Sequence, residues 1–159
     1  MNNTTEVTHL AKKQREREEN AVVRILSMQT AEGETDKSEL NSTASYRFTP
    51  HEATIVYTEL DESGEVSGET IITVMADGLV TIQKTGFADA LMILERGKTH
   101  PVKYSTMLGT MEMLLCALDI RAELSEDGGE LHLRYLIDIG EAYSAQNTID
   151  LRVSLRSRS

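Results

Sequence analysis

The sequence predicts an all-β domain built of short antiparallel strands, a sandwich or a barrel, and three observations carry that prediction. Turn residues punctuate the chain at Gly33, Pro50, Gly64, Gly68, Gly78, Gly86, Gly97, Gly109, Gly128, Gly129 and Gly140, mostly at strand-sized intervals. Several of those intervals alternate apolar with polar residues, the period of a strand with one buried face. No helix-sized connection separates them, so successive strands should pair antiparallel, as in a meander.

Residues 1–20 precede this pattern and differ from it. The stretch THLAKKQREREEN places Lys12/Glu16 and Arg15/Glu19 at the spacing that supports an exposed helix, and its few apolar residues bury too little to be held by a core. They read as a charged N-terminal extension, disordered or partly helical, with a partner-binding arm as the alternative. Residues 21–159 then form one domain, long enough to bury a core without disulfides or a metal.

In Ser38 to Thr49, Leu40, Ala44, Tyr46 and Phe48 alternate with a polar face. Leu131, Leu133, Tyr135, Ile137 and Ile139 repeat the pattern, as do Ile149, Leu151, Val153 and Leu155. The middle is different: Ile71 to Val74, Leu91 to Leu94 and Met111 to Leu118 are apolar on both faces and call for cover on both, from a terminal helix, a loop or a second subunit. Met107 to Leu118 also fits a helical stripe. Gly109 and the alternation of Leu118, Ile120 and Leu124 with Asp119, Arg121 and Glu123 favour a strand.

The segment LVTIQKTGFADALMILERGKTHPVKYSTMLGTMEMLL, with Gly86, Glu95 to Gly97, His100, Tyr104, Thr106 and Gly109 in order, resembles the YwiB-like family of small bacterial proteins, a domain of unknown function. The resemblance covers about Ala21 to Leu155. Lys84 stands where that family commonly has arginine, and Leu94 and Leu108 where aromatics are frequent. What it implies is a closed antiparallel up-and-down β-barrel, calycin-like (lipocalin-type), of about 8–10 strands and ten by count here, a size whose interior is either filled or just wide enough for one small ligand. It implies no established activity, although calycin barrels in general bind small hydrophobic molecules in their interior.

Five residues are candidates for binding. Lys84 follows Val80 and Ile82 on one face, so an inward-facing ammonium at the barrel rim would hold a carboxylate or phosphate; the plainer reading is a lysine reaching solvent or pairing with Glu95 across the hairpin. Tyr104 and Thr106 share a face with Val102 and would fix the polar end of a ligand, or bond neighbouring groups and close the barrel end. His100, before Pro101 in what reads as a turn, would serve as a pH-sensitive donor or as a solvated turn residue. Lys84, Tyr104, Thr106 and His100 are expected to converge at one mouth.

Other chemistry is thinly supplied. The histidines 9, 51, 100 and 132 are scattered with no metal-ligand spacing, and the acidic residues around Gly128 and Gly129 read as a solvated turn, so neither a metal nor a cofactor is expected. Cys116 is the sole cysteine, which excludes an intramolecular disulfide, and no apolar run suits a signal peptide or membrane span; a cytoplasmic protein is expected. A formal charge of -10 and the lack of a Gly-rich phosphate loop argue against nucleic-acid and nucleotide binding. No residue is placed by sequence to act as a nucleophile with His100, so catalysis is not expected. Two functions lead: a barrel binding a small hydrophobic or anionic molecule, or a packed barrel that acts as an interaction module, as a homodimer or with a protein partner; an enzyme using His100 with Glu95 or Glu112 is the weakest reading, since that pairing depends on tertiary placement.

Overall fold

A computed structural model describes residues 19–156, and the charged leader up to residue 18 lies outside them. Ten strands follow one another: β1 Ala21–Ala31, β2 Glu34–Phe48, β3 Glu52–Leu60, β4 Val66–Met75, β5 Val80–Gly86, β6 Ala88–Leu94, β7 Thr99–Thr106, β8 Gly109–Ser125, β9 Gly128–Ile139 and β10 Tyr143–Leu155. Each pairs antiparallel with its neighbours in sequence, and β1 closes the ring against β10, giving the expected up-and-down barrel. Met107 to Leu118 is a tip followed by strand, not helix.

Alternation turns one row of each strand inward. Val23, Ile55, Ile72, Val80, Leu94, Val102, Leu115, Leu131, Leu133 and Val153 are almost fully buried and fill the barrel with aliphatic side chains. Within β8 the alternation is broken by a bulge between Ala117 and Asp119, which lets Leu115 and Ala117 on one side and Ile120 on the other all face the core. Leu118 is the residue pushed out, which corrects its assignment to the inward row with Ile120 and Leu124. The outer residues Leu91 and Leu114 remain half exposed, so among the described residues nothing provides the second cover expected for them.

Because consecutive strands reverse direction, the connections alternate between two ends. The chain termini share one end with the β2/β3, β4/β5, β6/β7 and β8/β9 connections. Asn20 pins that end: its side chain donates to the Tyr46 carbonyl (2.9 Å) and accepts from the Tyr46 amide (2.8 Å), and its carbonyl accepts from the Arg156 amide (2.8 Å). The Tyr46 hydroxyl reaches the Ser125 carbonyl at 2.6 Å across the same end. Among the described residues no helix is long and apolar enough to cross a membrane.

Candidate functional site

Near the opposite end the inward rows turn polar. The pairing register puts Tyr57, Thr70 and Lys84 in one row across β3, β4 and β5, all on the parity of Ile55, Ile72 and Ile82. The next row toward the mouth is Glu59, Gly68 and Gly86. Two glycines there leave no inward side chain beside Glu59, so its carboxylate has room to lean across β4. It accepts from the Lys84 ammonium at 3.0 Å and from the Thr70 hydroxyl at 2.9 Å.

Both glycines are required by the close approach of the strands. A Cβ on Gly86 would lie 2.6 Å from Gly68 Cα and from the Ser67 carbonyl oxygen, and Gly86 has a φ of +108° that side-chain-bearing residues rarely adopt.

Electrostatics follow from this layout. Burial works to raise the Glu59 carboxyl, but the Lys84 charge and the hydrogen bonds from Lys84 and Thr70 outweigh it and hold the group below its ordinary value. Tyr57 is pushed up to about 12 by burial, with a Thr70 hydrogen bond pulling the other way and the Glu59 charge adding to the rise. Tyr135 is likewise pushed up to about 12, by burial and then by Tyr57. Both phenols are therefore neutral at physiological pH. Asn147, paired with Tyr135 on the inward parity of β10, keeps its side-chain nitrogen buried without a hydrogen-bond partner.

The recess at this mouth is small, about 100 Å³, and is lined by Glu59, Ser67, Thr70, Lys84, Phe87 and Tyr104 among others. Lys84 and Tyr104 are thus brought together as expected. The lysine's partner is Glu59 from β3, however, and the pairing with Glu95 across the hairpin does not form: Lys84 sits opposite Ala90, and Glu95 follows the far end of β6. Thr106 serves the β7/β8 tip, its hydroxyl accepting from the Leu108 amide at 3.1 Å.

His100 and Glu95 do not converge with Lys84. They lie toward the end that holds the chain termini, and His100 is part of β7 and not of a turn. There His100 Nε2 is 3.1 Å from Glu95 Oε1, and Lys98 reaches the other oxygen at 3.1 Å. Hydrogen bonds from Lys98 and then His100 hold the Glu95 carboxyl below its ordinary value. The β6/β7 ladder has opened before this point, with register only at Ala88/Thr106 and Asp89/Ser105, so the contact ties two strands that no longer pair. Glu95 and Arg96 also line a groove of about 400 Å³.

A concavity of about 410 Å³ lies on the outer face of β1, β10, β9 and β8. Several of its polar side chains are paired: Arg24 with Glu39 at 2.8 Å, His132 with Asp150 at 2.5 Å, and Arg152 with Glu130, while Glu123 also lines it. Arg121 meets Asp119 at 3.0 Å beside it. Exposed pairs of this kind contribute little each, and they form a solvated surface lattice. Among the described residues no cluster of three or more His, Cys, Asp or Glu is arranged to hold a metal ion.

Glu59, Thr70, Tyr57 and Asn147 were not legible as site residues. Glu59 continues the inward parity of Ala53, Ile55 and Tyr57, a signal hidden by its position before the acidic turn Asp61 to Glu65.

Comparison with known proteins agrees with this architecture. No curated protein matches the chain. A crystal structure of the YwiB protein from Bacillus subtilis superposes with a TM-score of 0.76 over 86% of this chain and 92% of the other, at 18% identity, a likeness of fold. A family model described as a domain of unknown function, DUF1934, matches residues 23–151. With most of the barrel inside that match, the chain belongs to the DUF1934 family.

Proposed function

We propose that this protein is a non-catalytic interaction module, a packed barrel that presents one end to a protein partner. The observation that carries the reading is the contrast between interior and rim. Aliphatic side chains fill the barrel, and the recess at Lys84, about 100 Å³, falls well below the roughly 300 Å³ at which small-molecule pockets begin. At the same end, Phe87, Met107 and Leu108 are 68%, 96% and 98% exposed. Apolar side chains held out at hairpin tips gain nothing for the fold and gain when a partner covers them.

The Lys84 charge also argues against a simple anion site, since Glu59 already neutralises it. Native mass spectrometry of protein purified under mild conditions tests the reading. The bare chain is expected; a retained small molecule that Lys84→Met releases would overturn it.

That outcome would favour a second reading, a small polar ligand taken at the mouth. Its support is the set Glu59, Thr70, Lys84 and Tyr104 that lines the recess, with polar atoms from four strands converging on it.

A further inference from the structure

The exposed apolar residues of this end form a continuous arc over three neighbouring hairpins. Leu60 pairs with Val66 at the end of the β3/β4 hairpin, and they are 60% and 66% exposed. Phe87 comes next, its amide donating to the Ser67 carbonyl at 2.8 Å, which ties the β5/β6 turn to β4. The register Ala88/Thr106 then sets Phe87 beside Met107, with Leu108 following at the β7/β8 tip.

The connections at this end carry charge of one sign, and the Lys84 ammonium below them is paired with Glu59. These connections carry Glu32, Asp61, Glu62, Glu65 and Glu141 and contain no lysine or arginine, whereas the β6/β7 connection at the opposite end contains Arg96 and Lys98. A second copy meeting this end face to face would bring like charges together. An anionic membrane or a nucleic acid would be repelled in the same way.

We infer that the arc from Leu60 to Leu108 is a docking surface for a basic amphipathic segment of a partner protein, its apolar face against Phe87, Met107 and Leu108 and its lysines or arginines against Asp61, Glu62 and Glu65. The inference rests on the interaction reading above and narrows it to one class of partner. An amphipathic segment suits the surface because apolar anchors and flanking carboxylates stand side by side on it. The apolar anchors alone would not distinguish a basic partner from a neutral one, and the carboxylates supply that sign.

The test uses the full chain and a fluorescein-labelled synthetic helical peptide with leucine on one face and lysine on the other, followed by fluorescence anisotropy. Its counterpart with glutamate in place of lysine is the control peptide. The lysine peptide is expected to bind and the glutamate peptide not to bind. Phe87→Ser/Met107→Ser/Leu108→Ser should weaken binding roughly tenfold or more, and Glu62→Lys/Glu65→Lys should weaken it with a smaller dependence on salt. Glu126→Lys/Asp127→Lys, the same charge change at the opposite end, should leave it unaltered, and matching circular dichroism keeps all variants comparable.

Equal weakening by the Glu126/Asp127 pair, or no binding of the lysine peptide, overturns the inference. If light scattering instead finds a dimer that the triple tip variant dissolves, the occupant is a second copy: the interaction reading stands and the basic partner is wrong. A monomer that ignores the peptide and retains a small molecule removes both.

Discussion

Lys84 Nζ and Glu59 Oε1 stand 3.0 Å apart although their strands are not neighbours; β4 lies between them, and the pair forms over the space that Gly68 and Gly86 leave inside the barrel. Each side chain is about one-third exposed (33% and 37%), so removing one partner should cost less than at a fully buried pair. Lys84→Met is expected to lower the unfolding free energy by about 1–2 kcal/mol, and Glu59→Leu added to it should recover most of that loss. Urea denaturation of the single and double variants measures both. A double variant no more stable than Lys84→Met would show that the glutamate is not left uncompensated.

The same pair shapes the acid limb of stability. The folded state holds the Glu59 carboxyl below its ordinary value, so its contribution is fully present above that value and is lost as pH falls through the depressed folded value. The difference between wild type and Lys84→Met should therefore shrink in acid. A difference unchanged down to a pH at which Glu59 is protonated would contradict the assignment.

Tyr57 and Tyr135 predict the opposite limb. Both are pushed from 10.0 to about 12, so between those values the unfolded chain releases protons that the folded chain retains, and stability falls as pH rises. Tyr135→Phe should remove its share of the alkaline loss while the chain stays folded at neutral pH. Thermal unfolding across that range measures it, and tyrosinate absorbance should show Tyr57 and Tyr135 titrating late, with Tyr46, which burial also raises, above its ordinary value. Identical alkaline slopes in wild type and variant would be the contrary result.

Gly86→Ala should destabilise by about 2–4 kcal/mol, from an unfavourable φ and from a Cβ forced against the β4 backbone. Gly33→Ala is the control: its φ is +79° but open space surrounds it, so only the conformational cost of about 1 kcal/mol remains. Equal losses at the two positions would mean that the close approach at Gly86 is not tight.

Asn20→Ala should cost about 1–2 kcal/mol, because it leaves the amide and carbonyl of Tyr46 unpaired in a half-buried setting. Hydrogen exchange at the Tyr46 amide should accelerate with it. No change in that exchange would place the first pin of the barrel elsewhere.

Much of this fold could be read before the structure, because strand alternation and turn glycines are local signals. Leu131 to Ile139 and Ile149 to Val153 announced their buried faces in order. Leu118 could not be placed, since a single-residue bulge reverses the alternation and leaves no mark on the sequence. The site was legible only where strand parity decides it. Lys84 and Tyr104 are legible because they continue inward rows, whereas Glu59 is the partner of Lys84 through the absence of side chains at Gly68 on β4 and Gly86 on β5. His100 lies at the terminal end although it stands only four residues from Tyr104 along the chain. In a strand, four residues span roughly 13 Å, enough to separate the two ends of the site.

The most direct test of the central claim, a packed barrel that works through its Phe87 end, is amide chemical-shift mapping while the leucine-lysine peptide is added to the labelled full chain. Shifts confined to the β3/β4, β5/β6 and β7/β8 tips are predicted. Shifts concentrated in the outer groove around Arg24 and His132, or at the terminal end around Glu95 and His100, would contradict it.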